Sequence, residues 1–309
     1  STPLYSSAAS DVYKRQISDY YQYWKFITYF STVILIKEWR GLSMKVQLFQ
    51  FNLAHGNAKA NQDKIESLFS KNLESDTDVA VLPEMWNNSY ALEQLSTLSD
   101  DDLKESLSFI QKLSRAYNVT IVAGSVSNKK KGNTFNTAFT VNAQGELIYQ
   151  YDKVHLVPML DEHLYLTGGE TVPYVFNLNE QVHASQIICY DLRFPEIARH
   201  PSIEGADILF YVAEWPMARL NHWRTLLQSR AIENDIFVIA CNTCGFEKDG
   251  GTEYAGHSLV INPNGEILAE AGTEEEVLTV DINLDEVKQQ RQNIPVFDNR
   301  RPHLYKYDQ

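Results

Sequence analysis

Ser185-Gln-Ile-Ile-Cys-Tyr-Asp-Leu-Arg-Phe-Pro-Glu-Ile-Ala-Arg199 changes character at its fifth residue. The run SQII before Cys189 carries the β-branched pattern of a buried strand. After it, Pro195 opens PEIAR, and proline is well tolerated in the first turn of a helix. Cys189 is therefore expected where a strand ends and the chain turns towards a helix. Free backbone N–H groups and the positive end of a helix dipole favour a thiolate there and can hold a developing oxyanion. A cysteine behind two isoleucines is equally a small core hydrophobe, so the rest of the chain has to decide.

Outward from this stretch, strands and helices alternate. KVQLFQFNL from Lys45, DVAVLPEMW from Asp78, VTIVAGSVS from Val119, ADILFYVAEW from Ala206 and IFVIACN from Ile236 read as strands. Apolar residues at helical spacing predict helices over 61–73, 100–117, 193–204, 217–234 and 285–291. Two segments break the alternation, NTAFTVNAQGELIYQYDK and HSLVINPNGEILAEA. Both are expected to be hairpins, turning at Asn142–Gly145 and Asn262–Gly265, where Asn and Gly supply the special backbone angles. Their matching design suggests two related halves. The fold class expected is α/β, with helices outside two mixed sheets rather than a purely parallel doubly wound sheet. No linker rich in Pro, Gly or Ser divides 44–309, which is read as one domain.

The chain has 309 residues and a net charge of −13, which argues against nucleic acid or an anionic membrane as its main partner. Three cysteines make no disulfide framework, and a reducing cytoplasm is the expected compartment. Residues 1–43 differ from the remainder, with five basic and three acidic side chains. Their apolar run FITYFSTVILI spans eleven residues, well short of the roughly 20 that cross a bilayer. The segment is read as a translated leader ahead of a natural start at Met44, or alternatively as an amphipathic anchor.

Three residues at the ends of expected strands carry the chemistry. Glu84 follows VAVLP, Lys153 follows LIYQYD and Cys189 follows SQII, positions from which a sheet aims side chains into a crevice. Singly each has a plain reading, as a cap, a surface lysine or a core thiol. Together they suit acyl transfer: a base to take the thiol proton and return it to an amine, a nucleophile, and a cation for the tetrahedral intermediate.

LPEMW, YDKVHL and CYDLRFPE, in that order, resemble the Glu, Lys and Cys motifs of the nitrilase superfamily of carbon–nitrogen hydrolases. The likeness runs from Met44 to about Pro302. It implies a four-layer αββα sandwich, a homodimer joined through helices near the cysteine, and a cofactor-free Glu84–Lys153–Cys189 triad. It further implies an acidic residue shortly after the lysine that orients it, Glu162 or its neighbour Asp161, and an oxyanion site shared by Lys153 and the Tyr190 N–H.

YVAEWPMARLNHWRTLLQSRAIEN resembles the ω-amidase branch, which acts on 2-oxoglutaramate and similar small monoamides of dicarboxylic acids. Such substrates end in a carboxylate, and guanidinium binds carboxylate through paired hydrogen bonds. Arg219 is the first candidate, and Arg193 competes unless it pairs with Glu196. Trp215 and Phe194 are expected either as cavity wall or as core. N-carbamoyl amino acids and deaminated glutathione are alternative substrates for the same triad. Outside the enzymes, an inactive scaffold or a metal module at Cys241 and Cys244 is the rival. No second cysteine pair follows that CxxC, so core is the favoured reading there and no metal is expected. His222 is expected to be structural.

Overall fold

The computed structural model describes residues 42–247 and 251–305. The leader reading and the apolar run 26–36 lie outside the described residues up to position 41.

The strands in chain order are β1 (Ser43–Gln50), β2 (Val79–Val81), β3 (Asp100–Asp101), β4 (Thr120–Lys130), β5 (Asn133–Val141) and β6 (Leu147–Asp152). They continue as β7 (Phe176–Asn177), β8 (His183–Ile188), β9 (Ile208–Ala213), β10 (Phe237–Asn242), β11 (Cys244–Phe246) and β12 (Glu253–Ala255). The last are β13 (Leu259–Ile261), β14 (Ile267–Glu270) and β15 (Glu276–Asn283). One sheet runs β15-β1-β2-β4-β5-β6, with β3 beside β4, and the other runs β14-β13-β10-β9-β8-β7.

The two sheets share one design. In the first, β1, β2 and β4 are parallel and the hairpin β5–β6 is added antiparallel. In the second, β8, β9 and β10 are parallel and the hairpin β13–β14 is added antiparallel. The hairpin turns match in detail. Asn142 Oδ1 accepts from the N–H groups of Gln144 and Glu146, as Asn262 Oδ1 does from Asn264 and Glu266. Gly145 and Gly265 close the two turns at φ +79° and +84°, in the left-handed region.

Helices 58–72 and 104–117 cover the outer face of the first sheet, where Ile65, Phe69, Ile110 and Leu113 join Phe49, Ala80 and Ile121 in one core. Phe69 stacks on Phe49 with ring centroids 4.6 Å apart. Helices 195–203 and 220–234 pack on the second sheet. The inner faces of the sheets meet each other, giving the αββα order. Gln186 on β8 links them: its Nε2 donates to Gly124 O at 2.7 Å and its Oε1 accepts from Thr140 Oγ1 at 3.0 Å.

Some boundaries differ from expectation. The helix expected from Asp100 starts at Lys104, because Asp100 pairs with β4 and turns its carboxylate to the helix N-terminus, accepting from Glu105 N and Ser106 N. The helix expected from Met217 opens with a 3₁₀ turn, Met217–Arg219, and becomes α-helical at Leu220. Cys241 of the CxxC lies in the core with its Sγ directed at Phe49 O and Val81 O, and no cluster of three or more metal-ligating side chains occurs among the described residues.

Candidate active site

Glu84 stands on a wholly buried loop that leaves β2. Met85 and Ser89 take φ of +48° and +50° there, and β4 holds the turn: Met85 N donates to Ser125 Oγ, Trp86 N to Ser125 O and Trp86 Nε1 to Ala123 O. Gly124 makes this approach possible. A Cβ at that position, where φ is +59°, would sit 1.8 Å from Pro83 O.

Lys153 leaves β6 with its backbone N–H on Asn136 O, and Cys189 leaves β8. The three segments converge. Glu84 Oε1 accepts from Lys153 Nζ at 3.0 Å, Tyr90 OH at 2.9 Å and Asn136 Nδ2 at 2.8 Å. Glu84 Oε2 accepts from the N–H of Glu214 at 2.8 Å. Lys153 Nζ also donates to Glu162 Oε1 at 2.9 Å and to Tyr90 OH at 3.0 Å, while Glu162 Oε2 accepts from Val157 N. Glu162 is buried and Asp161 exposed, so Glu162 is the acid that meets the lysine. Lys153, Glu84 and Glu162 are all fully buried, and in such a place a charge must be paired and hydrogen-bonded. Each of the three is.

The electrostatics follow from this packing. Burial works against the Lys153 charge, but Glu162 and Glu84 outweigh it and hold the ammonium above its ordinary pKa. Tyr90 is pushed up by burial and then by Glu162 and Glu84, which keeps it a neutral phenol. The Cys189 thiol is pushed well up, by burial first and by the adjacent Glu84 second, with Lys153 opposing. This corrects the expectation of a thiolate at a helix N-terminus. A 3₁₀ turn, Cys189–Arg193, separates Cys189 from the helix at Pro195, and the sulfur is buried beside a carboxylate. Cys189 is a thiol with a base beside it. Its own φ is +37°, a strained value for a side chain larger than hydrogen, and it sets the sulfur at a sharp strand-to-turn corner.

Cys189 opens into a cavity of about 470 Å³ whose wall includes Tyr190, Arg193, Glu214, Trp215, Arg219 and Tyr254, within the size range of small-molecule sites. The two arginines differ. Arg193 is half-buried, lies 4.7 Å over the Trp215 ring and 5.7 Å over Tyr190, and reaches His222 Nδ1 at 3.3 Å. Among the described residues no ion pair joins it to Glu196 or to any other acid. Arg219 is exposed, and its Nη1 reaches only Ala218 O. Trp215 is both wall and core: it is buried, and its Nε1 donates to Arg219 O at 2.9 Å. Phe194 stands away from the cavity wall, its ring flat on His155 with centroids 3.5 Å apart.

Tyr90, Asn136, Ser89, Glu214 and Tyr254 were not singled out from the sequence. Tyr90 sits six residues after Glu84 on the same loop, which is the one local signal among them.

Residues 45–292 match the family model described as carbon-nitrogen hydrolase. The chain is 55% identical over 263 residues to "Hydrolase in agr operon" of Staphylococcus aureus, covering 85% of this chain and 100% of that one. It is 43% identical to "2-oxoglutaramate amidase" of Bacillus subtilis (strain 168), covering 84% of this chain and 98% of the relative. Among solved structures, Saccharomyces cerevisiae Nit3, described as a member of branch 10 of the nitrilase superfamily, superposes with TM-score 0.75. That match is 29% identical and covers 84% of this chain and 97% of Nit3.

Proposed function

This chain belongs to the carbon–nitrogen hydrolase family of the nitrilase superfamily and is an amide hydrolase; from that premise we propose that it hydrolyses the terminal amide of a small dicarboxylate monoamide, such as 2-oxoglutaramate, through a cysteinyl thioester. The observation that carries the reading is the convergence of Glu84, Lys153 and Cys189 at one end of a cavity whose wall holds an acid-free arginine. The likeness to a 2-oxoglutaramate amidase supports the substrate class.

The Sγ of Cys189 attacks the amide carbonyl carbon while Glu84 takes its proton. A thiol with a raised pKa needs that base at the moment of attack. The new oxyanion is held by the Lys153 ammonium and the Tyr190 N–H, where a preformed buried cation costs no solvent reorganisation. Glu84 passes its proton to the amine as the C–N bond breaks, and ammonia leaves. A water then gives its proton to Glu84 and attacks the thioester, and the departing sulfur recovers that proton from Glu84. Glu162 and Tyr90 are positioning residues: they hold the ammonium where the oxyanion forms. Arg193 receives the substrate carboxylate, since its guanidinium is already held over the Trp215 ring, and Arg219 adds charge at the rim. We also propose that the enzyme acts as a homodimer in the cytoplasm.

The test is ammonia release from succinamate, glutaramate and 2-oxoglutaramate, with an N-carbamoyl amino acid as control. Turnover of the three monoamides and not of the control supports the reading. Turnover of the control alone would transfer the assignment to carbamoyl hydrolysis.

A further inference from the structure

The two oxygens of Glu84 are unequally supplied with hydrogens. Oε1 accepts three, from Lys153 Nζ, Tyr90 OH and Asn136 Nδ2 at 3.0, 2.9 and 2.8 Å. Oε2 accepts one backbone hydrogen, from the Glu214 N–H at 2.8 Å. A carboxylate has about four lone-pair sites, two on each oxygen. Oε1 is therefore full, and the site left for a moving proton is on Oε2.

Of the three donors on Oε1, Asn136 is the one with no other side-chain task. It lies on β5, opposite Ser127 of β4, and is buried. Its backbone O accepts from Lys153 N at 2.9 Å while its side chain donates to Glu84. One residue thus sets the place of both the base and the lysine beside it. Asn136 is not part of the cavity wall. Its Oδ1 is buried and without a hydrogen-bond partner. A residue kept for packing alone would serve better as an apolar side chain, because a buried unpaired carbonyl is costly. Turning the amide over would set Oδ1 against Glu84 Oε1, oxygen to oxygen. The bond from Nδ2 to Glu84 is what offsets the cost.

We infer that Asn136 is a positioning residue for the reaction: by holding Oε1 it fixes Glu84 so that each proton taken or returned passes through Oε2. The inference rests on the amide-hydrolase reading with Glu84 as base, and deepens it. The Cys189 S–H proton goes to Oε2 as the S–C bond forms, then to the amine nitrogen as the C–N bond breaks. Oε1 keeps its three donors throughout and is the carbonyl oxygen of the transient acid. The titratable groups facing Glu84 are Lys153 from the end of β6, Tyr90 from its own loop, Cys189 from the end of β8 and Glu214 from the end of β9. Burial first, and Glu84 second, push the Glu214 carboxyl well above the usual carboxylate range. Asn136 adds a donor that favours the ionised form of Glu84.

The experiment measures kcat, KM and the pH profile of ammonia release in wild type, Asn136→Leu and Glu84→Gln, on the monoamide that wild type turns over fastest. Leu keeps the branching of Asn without its donor. In Asn136→Leu kcat falls by about ten- to a hundredfold, the worth of one hydrogen bond to a charged group, and KM stays within about twofold. The acidic limb of kcat/KM moves to higher pH, since a carboxylate with one donor fewer is protonated more readily. Loss of folded protein alone would lower the rate without moving that limb. Wild-type kcat and limb in Asn136→Leu, beside an inactive Glu84→Gln, would overturn this inference alone. An active Glu84→Gln would remove the base and this inference with it. Neutron diffraction from Cys189→Ala, with Asn136 in place and at a pH below the acidic limb, reads the oxygen directly. Deuterium on Glu84 Oε2 supports the assignment and deuterium on Oε1 contradicts it, whether or not Asn136→Leu folds.

Discussion

Lys153 Nζ lies 3.0 Å from Glu84 Oε1, and neither side chain is exposed to water. With Glu162 on its other side at 2.9 Å, the lysine is a cation between two carboxylates. In the proposed mechanism Glu162 holds it and Glu84 works beside it.

Glu84→Gln keeps the shape of the site and removes its base. The rate of ammonia release is expected to fall by about 10²- to 10⁴-fold, the usual worth of a positioned acid–base group, with KM little changed. A steady-state assay on glutaramate checks this. A near-normal rate would exclude Glu84 as the proton carrier.

Lys153→Met leaves Glu84 and Glu162 facing each other without their cation. Breaking a buried pair in this way is expected to cost about 3–5 kcal/mol of stability, read from chemical denaturation. Combining it with Glu162→Gln removes one orphaned charge and should recover part of that loss, although activity stays absent because the oxyanion cation is gone. A double variant no more stable than the single one would show that the lysine is not held by charge pairing.

Gly124→Ala tests the approach of β4 to the Glu84 loop. With φ at +59° and Pro83 O 1.8 Å from the added Cβ, the loop must move. Thermal unfolding should show a loss of roughly 2–4 kcal/mol, and activity should fall with it because Glu84 is displaced. A variant of wild-type stability and rate would contradict the observed packing.

The Glu214 proton gives a pH dependence of defined sign. Its folded pKa is raised above the ordinary 4.5, so above that pH the native state binds a proton that the unfolded state has released. Stability contributed by this group is complete below pH 4.5 and is lost as pH rises towards the folded value. Glu214→Gln has no such loss. Its stability relative to wild type should therefore increase from pH 5 to pH 8, measured as the difference in denaturation midpoints. A constant difference would mean that Glu214 is ionised in the fold.

Much of the candidate site was legible because the three residues proposed to react follow strands, and strand ends can be read from an apolar run followed by a turn. Strand ends made Glu84, Lys153 and Cys189 candidates, the three motifs in order joined them into one set through the family resemblance, and the paired hairpins announced the two related sheets. Asn136 and Tyr90 escaped because their contacts with Glu84 exist only after β5 and the Glu84 loop have folded against each other. Glu214 was hidden at the end of the run ADILFYVAEW, since nothing local reveals that the second sheet carries it to Glu84. The thiolate expectation failed for a related reason. It counted the local turn and could not count the burial of the sulfur, nor a carboxylate brought in from 105 residues earlier in the chain.

The most direct test of the account is the covalent state of Cys189 during turnover. Enzyme acting on glutaramate is quenched in acid, digested, and the Cys189 peptide weighed. The account predicts an adduct on that peptide equal to the substrate less ammonia, absent from Cys189→Ala, which also releases no ammonia. Ammonia release by Cys189→Ala at a wild-type rate, with no adduct on the wild-type peptide, would contradict it.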